Sequence, residues 1–158
     1  LAVNYTYTEA KEKNREYTRQ DYGVIPPDFR YSMVTRRASY TPRNQFKADL
    51  TYRGDFGLTV TATARYVGNR VVYLTESTVD PDTRTVTYSL PSYWTADLKV
   101  EQRMYKHWVV SLSGTNLFNK EYDARLTRFT DPDRGWLTSS AVYPGAGRAV
   151  FAGLAYEF

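Results

Sequence analysis

Three aspartates near the C-terminal end are the side chains of this chain best suited to hold a metal ion. Asp123, Asp131 and Asp133 offer the carboxylate oxygens that Ca²⁺ prefers. Their spacing, however, does not fit an EF-hand loop. The chain has no Cys and one His, so a zinc site is not expected. We therefore predict no bound metal and no cofactor, and calcium binding by these aspartates stays open as an alternative.

The serines, the histidine and one pair of glycines do not fit a catalytic motif. Ser111 and Ser113 lack the residues that flank the serine of a nucleophile elbow. Gly145 and Gly147 precede a strand-like stretch, whereas the glycines of a dinucleotide-binding fingerprint lead into a helix. His107 lies in a short turn, which is more typical of a surface histidine than of a catalytic one. We predict that the chain is not an enzyme, since a catalytic constellation would have to lie outside it.

The elements that position these residues are predicted from six stretches in which apolar and polar residues alternate. A period of two is typical of a strand whose two faces meet different surroundings. Aromatic residues make up 16% of the chain, and ring and β-branched side chains favour strands. The longest apolar run has eight residues, too few for a membrane-spanning helix of about 20. We predict an all-β fold with strands at 1–8, 45–53, 58–66, 93–103, 108–115 and 149–158.

The connections between these stretches alternate in length. Segments 10–44, 67–92 and 119–148 are long, whereas 54–57 and 104–107 are short. Outer-membrane barrels have this asymmetry, with short periplasmic turns and longer extracellular loops. We therefore predict part of an antiparallel transmembrane β-barrel whose first strand rises from the periplasm and whose last strand returns to it at Phe158.

Aromatic rings on the apolar face fall near the ends of the predicted strands. The middles are aliphatic, as at Leu50, Val60 and Leu98. Lipid favours this arrangement, because Tyr and Trp prefer the two membrane interfaces. The rings form two girdles, with Tyr5, Tyr7, Phe46, Tyr66 and Trp94 at the outer end and Tyr52, Trp108, Tyr156 and Phe158 at the periplasmic end.

Charged residues occupy the opposite face of the same strands. A cation facing lipid at the midplane costs about 2–4 kcal/mol, so this face is predicted to line a wet or protein-filled lumen. The alternative is a soluble antiparallel sheet with one solvated face, acting as a binding module. The net charge of +4 is well mixed, so nucleic acid is not predicted as a partner. The charged positions are Lys47, Asp49, Arg53, Arg65, Asp97, Lys99, Glu101 and Arg103.

The C-terminal part of the chain carries motifs of a known family. Three stretches, in order, closely resemble the end of TonB-dependent outer-membrane receptors, and residues 66–70, 90–93 and 97–99 look similar to the same family. The resemblance covers residues 42–158, and before these it rests on alternation alone. The stretches are Ser113-Gly114-Thr115-Asn116-Leu117-Phe118-Asn119-Lys120-Glu121-Tyr122, Tyr143-Pro144-Gly145-Ala146-Gly147-Arg148 and Gly153-Leu154-Ala155-Tyr156-Glu157-Phe158.

The resemblance implies about six C-terminal strands of a roughly 22-stranded barrel in a Gram-negative outer membrane. Such a receptor takes up a scarce ligand such as a ferric siderophore, haem or cobalamin. Its partners would be outer-membrane lipid, its own plug domain, and the TonB–ExbB–ExbD complex acting on the TonB box of the plug. Ligand recognition would fall to aromatic and cationic residues of the outer loops, each of which could instead pack within its loop. The candidates are Tyr17, Arg19, Tyr22, Tyr73, Tyr88, Arg128, Phe129, Arg134 and Trp136.

The two ends of the chain lead to two further expectations. The chain begins inside a strand-like pattern at Leu1, without a signal peptide, so we expect residues 1–158 to be the C-terminal segment of a longer precursor. The resemblance implies that the last strand is read by the barrel-assembly machinery, which could pair with its open edge. The signal residues, which would also face lipid, are Val150, Ala152, Leu154, Tyr156 and Phe158.

Overall fold

The computed structural model consists of antiparallel strands joined by turns. It describes residues 1–21, 23, 25–26, 28–77, 83–105, 107–131 and 137–158, and the side chains of 17–21, 28–29, 75–77, 83–84, 128–131 and 137–139 lie outside the description. Among the described residues there is no helix of the length and apolar character needed to cross a membrane. The strands are β1 (Ala2–Tyr7), β2 (Lys11–Asp21), β3 (Asp28–Arg37), β4 (Asn44–Arg53), β5 (Leu58–Val67), β6 (Arg70–Ser77), β7 (Thr83–Leu90), β8 (Tyr93–Met104), β9 (Trp108–Thr115), β10 (Asp123–Asp131), β11 (Leu137–Pro144) and β12 (Ala149–Tyr156).

Six of these strands form one antiparallel sheet, which we call the main sheet. Its order is β1-β4-β5-β8-β9-β12. These are the six strands predicted from alternation, so the predicted all-β antiparallel fold is confirmed. The sheet is open in this chain, with β1 and β12 as its edges.

The three long connections form β-hairpins, which differs from the loops expected there. β2 pairs with β3, β6 with β7, and β10 with β11. All three hairpins leave the same end of the main sheet, the hairpin end, and the two short turns lie at the opposite short-turn end. Apolar alternation does not indicate β2, because polar residues occupy both faces of that strand, whereas β7 does alternate, with Val86, Tyr88 and Leu90 between threonine and serine residues. Such ribbons are held by backbone ladders and cross-strand side-chain pairs.

Both faces of the main sheet are exposed in this chain. On the apolar face, Leu50 is 57% exposed and Val110 38% exposed, so these side chains do not lie in a dry core shared with a second sheet. The polar face carries short-range charge pairs instead. Lys47 Nζ lies 2.9 Å from Asp49 Oδ2, and the hydroxyl of Thr63 donates to the same carboxylate at 2.6 Å. The sheet therefore presents two chemically different faces.

The register places aromatic rings of the apolar face in a row across four strands. Tyr5 is opposite Phe46, Phe46 opposite Tyr66, and Tyr66 opposite Trp94. Phe118 extends this row, because its ring centroid lies 5.5 Å from that of Trp94. We call this set the hairpin-end aromatic row. The predicted outer girdle is thus aligned by pairing as well as by position in sequence.

A second group of rings lies at the short-turn end. Trp108 and Tyr156 are cross-strand partners with centroids 5.0 Å apart, and Phe158 packs edge-on against Tyr156 at 5.2 Å. His107 stacks on Tyr156 and bonds the carbonyl of Glu157 at 2.9 Å. Pairing of the last strand therefore continues past the end of β12.

The first short turn requires glycine at one position. Gly57 has φ of 83°, a left-handed conformation that other residues adopt with strain. Its carbonyl accepts a bond from the amide of Arg103 at 3.0 Å. A Cβ at this position would lie 3.1 Å from the Arg103 carbonyl oxygen. The turn is therefore packed tightly against β8.

Candidate functional site

The hairpins at one end of the main sheet are the candidate functional site, and they are built around a small apolar core. Val72, Leu90 and Leu126 are the buried hydrophobic residues of the described chain, and Tyr40, Leu74 and Tyr88 pack against them. Val72 and Leu90 belong to the β6–β7 hairpin and Leu126 to β10. Hairpins β6–β7 and β10–β11 therefore share a core, whereas the main sheet lacks one.

Tyr40 ties this core to the segment that follows β3. Its amide donates to the carbonyl of Val71 at 2.9 Å, and its hydroxyl donates to the carbonyl of Leu126. Its φ of 60° is uncommon for a bulky residue. Because one residue contacts two neighbouring hairpins, we expect it to fix their relative positions.

Arg70 makes the second connection between hairpins. It is only 7% exposed, and its guanidinium donates to the carbonyls of Asp123 at 2.6 Å and Ala124 at 3.1 Å. The same group lies over the Tyr93 ring at 5.4 Å. Charge-assisted bonds of this kind are stronger than neutral ones. Arg70 thus fastens the start of β10 to the start of β6.

The 113–122 motif has a structural role. Asn116 is 4% exposed with φ of 47°. Its amide group donates to the carbonyls of Lys120 and Ala146 at 3.0 and 2.9 Å, and its side-chain oxygen accepts from the Lys120 amide at 2.8 Å. Its own backbone amide donates to Asp97 Oδ1 at 2.8 Å. The Asn116 side chain therefore closes the turn after β9 and joins it to the segment before β12, and the Asn116 backbone amide joins the turn to β8.

The 143–148 motif packs on the same turn. Tyr122 stacks on Tyr93 with centroids 3.9 Å apart, and its carbonyl accepts a bond from the Gly145 amide at 2.7 Å. A Cβ on Gly145 would lie 2.0 Å from the Tyr122 ring, so only glycine fits there. The turn predicted at Gly145 and Gly147 therefore needs glycine at position 145, because the Tyr122 ring packs directly against the backbone there.

A polar cavity of about 310 Å³ lies between the β2–β3 and β6–β7 hairpins. We call it the inter-hairpin cavity. It is a surface site that could hold a small polar group. Its lining residues are Glu12, Asn14, Arg15, Arg36, Ser39, Tyr73 and Thr85.

Arg36 is the central cation of the inter-hairpin cavity. It pairs with Glu16 at 3.0 Å, and its guanidinium lies 4.5 Å from the centroid of the Tyr73 ring. Its Nε is buried without a hydrogen-bond partner among the described residues. Glu12 accepts bonds from the amide and hydroxyl of Ser39 at 3.2 and 3.1 Å. A ligand with many oxygen atoms or with aromatic rings could contact both the Arg36 guanidinium and the Tyr73 ring in this cavity.

The predicted ligand-binding residues are distributed over all three hairpins. Tyr73 lines the inter-hairpin cavity, whereas Tyr88 packs against the buried core. Arg36 and Glu12 were not among the residues predicted from the sequence. The signal that could have found Glu12 is the alternation of cations with acids or amides along β2, which has the two-residue period of a strand. Tyr17 and Arg19 lie in β2, and Arg128 and Phe129 in β10, with side chains outside the description; Tyr22, Arg134 and Trp136 lie outside the described residues.

The remaining predicted positions are found in the last strand and in the aspartates. The proposed assembly residues of β12, Val150, Ala152, Leu154 and Tyr156, share its exposed apolar face, and Phe158 follows the strand. The backbone carbonyl of Asp123 is bonded by Arg70. The side chain of Asp131 and all of Asp133 lie outside the description. Within the described part of the chain, no cluster of three potential metal ligands occurs.

A single antiparallel sheet with one apolar and one polar exposed face, and hairpins at one end only, has the architecture of a β-barrel wall segment. Residues 1–117 match the family model described as TonB dependent receptor-like, beta-barrel. The chain therefore belongs to this family. The match includes residues 1–41, which only alternation supported, and it ends within the 113–122 motif.

Solved structures share the fold at low sequence identity. The ferripyoverdine receptor of the Pseudomonas aeruginosa outer membrane has a TM-score of 0.59 at 20% identity, with 81% of this chain and 16% of that chain covered. FpvA from P. aeruginosa bound to a heterologous pyoverdine has a TM-score of 0.60 at 17% identity, with 99% and 24% covered. The ferric-catecholate import receptor Fiu from E. coli K12 has a TM-score of 0.51 at 21% identity, with 96% and 19% covered.

The chain thus spans at most about a quarter of these proteins, as the 24% coverage of FpvA states. No curated protein sequence matches it.

Proposed function

We propose that this chain is the C-terminal wall segment of an outer-membrane receptor that imports a ferric siderophore and catalyses no covalent reaction. The observation that carries the proposal is the pair of exposed faces of the main sheet. The apolar face has rings at both ends and aliphatic side chains between them, which suits lipid. The polar face carries ion pairs such as Lys99–Glu101 at 2.9 Å, which suits a lumen filled by water and a plug domain.

The choice of a ferric siderophore over haem or cobalamin is supported by the fold relatives. Two of those solved structures are receptors bound to ferripyoverdine or to a heterologous pyoverdine, and the third is a ferric-catecholate import receptor. These chelates present many oxygen atoms and carry charge. The inter-hairpin cavity offers complementary groups, since Arg36 can donate to oxygen and Tyr73 presents a ring.

The same proposal assigns partners to each part of the segment. The polar face would surround the plug, whose TonB box would receive energy from the TonB–ExbB–ExbD complex. The open edge of β12 would be read by the barrel-assembly machinery and then pair with another strand of the complete barrel, because unpaired edges invite pairing. These partners belong to the full-length receptor.

Deletion of the full-length gene in its host tests the uptake function. We expect loss of uptake of one radiolabelled ferric siderophore and unchanged uptake of haem and cobalamin, with restoration by a plasmid copy. Exclusive loss of haem or cobalamin uptake would overturn the siderophore assignment and leave a receptor. Unchanged uptake of all three, together with absence of the protein from outer-membrane fractions, would overturn the receptor itself.

Binding by the inter-hairpin cavity is tested by two arginine substitutions in the full-length receptor. Arg36→Ala removes the cation of the cavity, and Arg53→Ala removes a cation from the main sheet away from the hairpins. Loss of a charged hydrogen bond costs about 1.5–3 kcal/mol, so we expect roughly 10- to 150-fold weaker siderophore binding for Arg36→Ala alone. Quenching of tryptophan fluorescence measures it. Equal binding by both variants would exclude the cavity as a ligand contact.

A further inference from the structure

The polar face of the main sheet carries an exposed aromatic ring on its last strand. The register aligns Lys99 with Ser113 and Ser113 with Phe151, so Phe151 lies on the same face as the charged residues of β8. Phe151 is 58% exposed. Val150 and Leu154 lie on the opposite face of β12, because successive side chains of a strand alternate. Both faces of β12 are therefore apolar, unlike those of β4, β5 and β8.

The residues around Phe151 on this face carry no charge. Gly153 is the cross-strand partner of Ser111, and Ala155 is the partner of Val109. This surface, which we call the Phe151 patch, consists of Val109, Ser111, Ser113, Phe151, Gly153 and Ala155. An exposed ring on an uncharged surface gains free energy when another apolar surface covers it.

The charged residues of the polar face have partners on their own strands. The Lys47 ammonium lies 2.9 Å from the Asp49 carboxylate, and that of Lys99 lies 2.9 Å from Glu101. Each pair joins residues two positions apart in the sequence, so it needs no partner from another part of the molecule. Covering such a pair removes both charges from water, which costs free energy. A dry contact is therefore favoured at the Phe151 patch and disfavoured over β4 and β8.

Polar contacts bound the Phe151 patch at both ends. At the short-turn end the Arg103 guanidinium lies 2.9 Å from the Glu157 carboxylate. At the hairpin end the Asp97 carboxylate accepts a hydrogen bond from the Asn116 amide at 2.8 Å. The side of the patch at β12 is open, because β12 is an edge of the main sheet. A segment that covers the patch therefore reaches it across the lumen or past the free edge of β12.

The order of strands in a closed barrel indicates which segment this is. This chain covers 24% of FpvA and 19% of Fiu, so most of such a receptor lies outside residues 1–158. Closure pairs the first strand of the barrel with the free edge of the last strand. Because β12 runs toward the short-turn end, an antiparallel first strand begins there, beside Gly153 and Ala155. The polypeptide that leads into that strand therefore passes the Phe151 patch, and a glycine within a strand suits the close approach of another backbone.

We propose that the Phe151 patch is the dry docking surface for an apolar segment of the same polypeptide, the part of the plug domain that leads into the first strand of the barrel. The plug is held against β9 and β12, and water separates it from β4, β5 and β8. The inference rests on the proposed function, since it requires residues 1–158 to be the last strands of a plugged receptor. It is independent of the imported ligand.

Photo-cross-linking in the full-length receptor, assembled in its own outer membrane, tests the position of the plug. Phe151→benzoylphenylalanine keeps an aromatic ring in the patch. Thr61→benzoylphenylalanine is the matched control, because Thr61 lies in the same cross-strand row, on β5. Mass spectrometry of the digested receptor identifies the cross-linked peptides. We expect position 151 to cross-link to a peptide that precedes the first strand of the barrel, and position 61 to lack this product because it faces water.

Hydrogen exchange of the plug amides measures the contribution of the ring. Phe151→Gln removes the apolar contact, so we expect these amides to exchange roughly 10- to 150-fold faster, the value of one buried phenylalanine side chain. Thr61→Gln should exchange at the parental rate, and Phe151→Leu should stay close to it. The amount of each variant in outer-membrane fractions is compared first, so that only assembled receptor is measured.

The outcomes separate this inference from the proposed function. Equal cross-linking from both positions, cross-linking from neither, or a product between position 151 and lipid, a second copy or another protein would each overturn the inference. Parental exchange in Phe151→Gln would overturn it as well. If the receptor imports a siderophore while giving any of these results, the inference alone fails. If position 151 cross-links to the plug in a receptor that imports no siderophore, the proposed function alone fails.

Discussion

Replacement of Asn116 by alanine should open the turn after β9. The substitution removes three side-chain hydrogen bonds, two to carbonyls and one from the Lys120 amide. A buried hydrogen bond contributes about 0.5–1.5 kcal/mol, so the loss of three amounts to about 1.5–4.5 kcal/mol. The left-handed conformation adds about 1 kcal/mol, because asparagine tolerates it better than alanine.

Asn116→Gly separates these two contributions. Glycine removes the same three hydrogen bonds but adopts positive φ without strain. We therefore expect Asn116→Gly to be less destabilising than Asn116→Ala by about 1 kcal/mol. Equal effects of the two variants would show that the backbone conformation contributes nothing.

Hydrogen exchange in the detergent-solubilised full-length receptor is the appropriate assay, because it reports local opening of individual segments. The amides of Leu117, Asn119 and Lys120 are hydrogen-bonded within or beside the turn. With the backbone contribution included, a loss of about 2.5–5.5 kcal/mol predicts exchange of these amides roughly 60- to 8,000-fold faster in Asn116→Ala. Amides in the middle of β5 serve as the internal control. Exchange at the parental rate would refute the assignment of Asn116 as the residue that closes the turn.

Three other predictions follow from packing and environment. Gly145→Ala should lower the melting temperature of the receptor, with a cost of about 1–3 kcal/mol for overpacking against Tyr122, whereas Gly147→Ala should be neutral because its nearest atom is 3.7 Å away. Leu50→Arg should cost about 2–4 kcal/mol and reduce the amount of receptor assembled in outer-membrane fractions, because it places a cation in lipid. Thr51→Arg, on the polar face, should leave that amount unchanged. Equal amounts of the two variants would contradict the assignment of the apolar face to lipid. The chain expressed alone should elute as aggregates unless detergent is present, because its apolar face and the two edges of its main sheet are exposed. A monodisperse monomer in light scattering without detergent would disprove this prediction.

The main sheet could be predicted from sequence because its two faces meet different surroundings. Leu50 lies between Asp49 and Thr51, and the same contrast recurs in the other strands except β12, where Phe151 and Ala155 make the second face apolar as well. A contrast of this kind appears directly as alternation of apolar and polar residues. The register that aligns Phe46 with Tyr66 could not be read from the sequence alone, because it depends on the geometry of the short turn at 54–57.

Strand β2 could not be predicted in the same way. In β2 the alternation is between cations, at Lys11, Lys13 and Arg15, and acids or amides, at Glu12 and Asn14. Both classes are polar, so a measure of hydrophobic contrast gives no signal, although the period of two is present. The two faces of β2 differ in the sign of their charge, because the face with Glu12 meets the neighbouring hairpin and the face with the lysines does not.

The candidate site shows a related limit of sequence reasoning. Tyr73, which lines the inter-hairpin cavity, could be proposed as a contact residue from its type, because functional residues are often found in the connections between strands. Its partner Arg36 lies 37 positions earlier, and nothing local to either residue relates them. They meet because two hairpins with separate backbone ladders leave the main sheet side by side. A chemically useful pair of this kind is specified by the order of strands in the sheet, so it becomes visible only once the pairing of β1 with β4 and β5 with β8 is known.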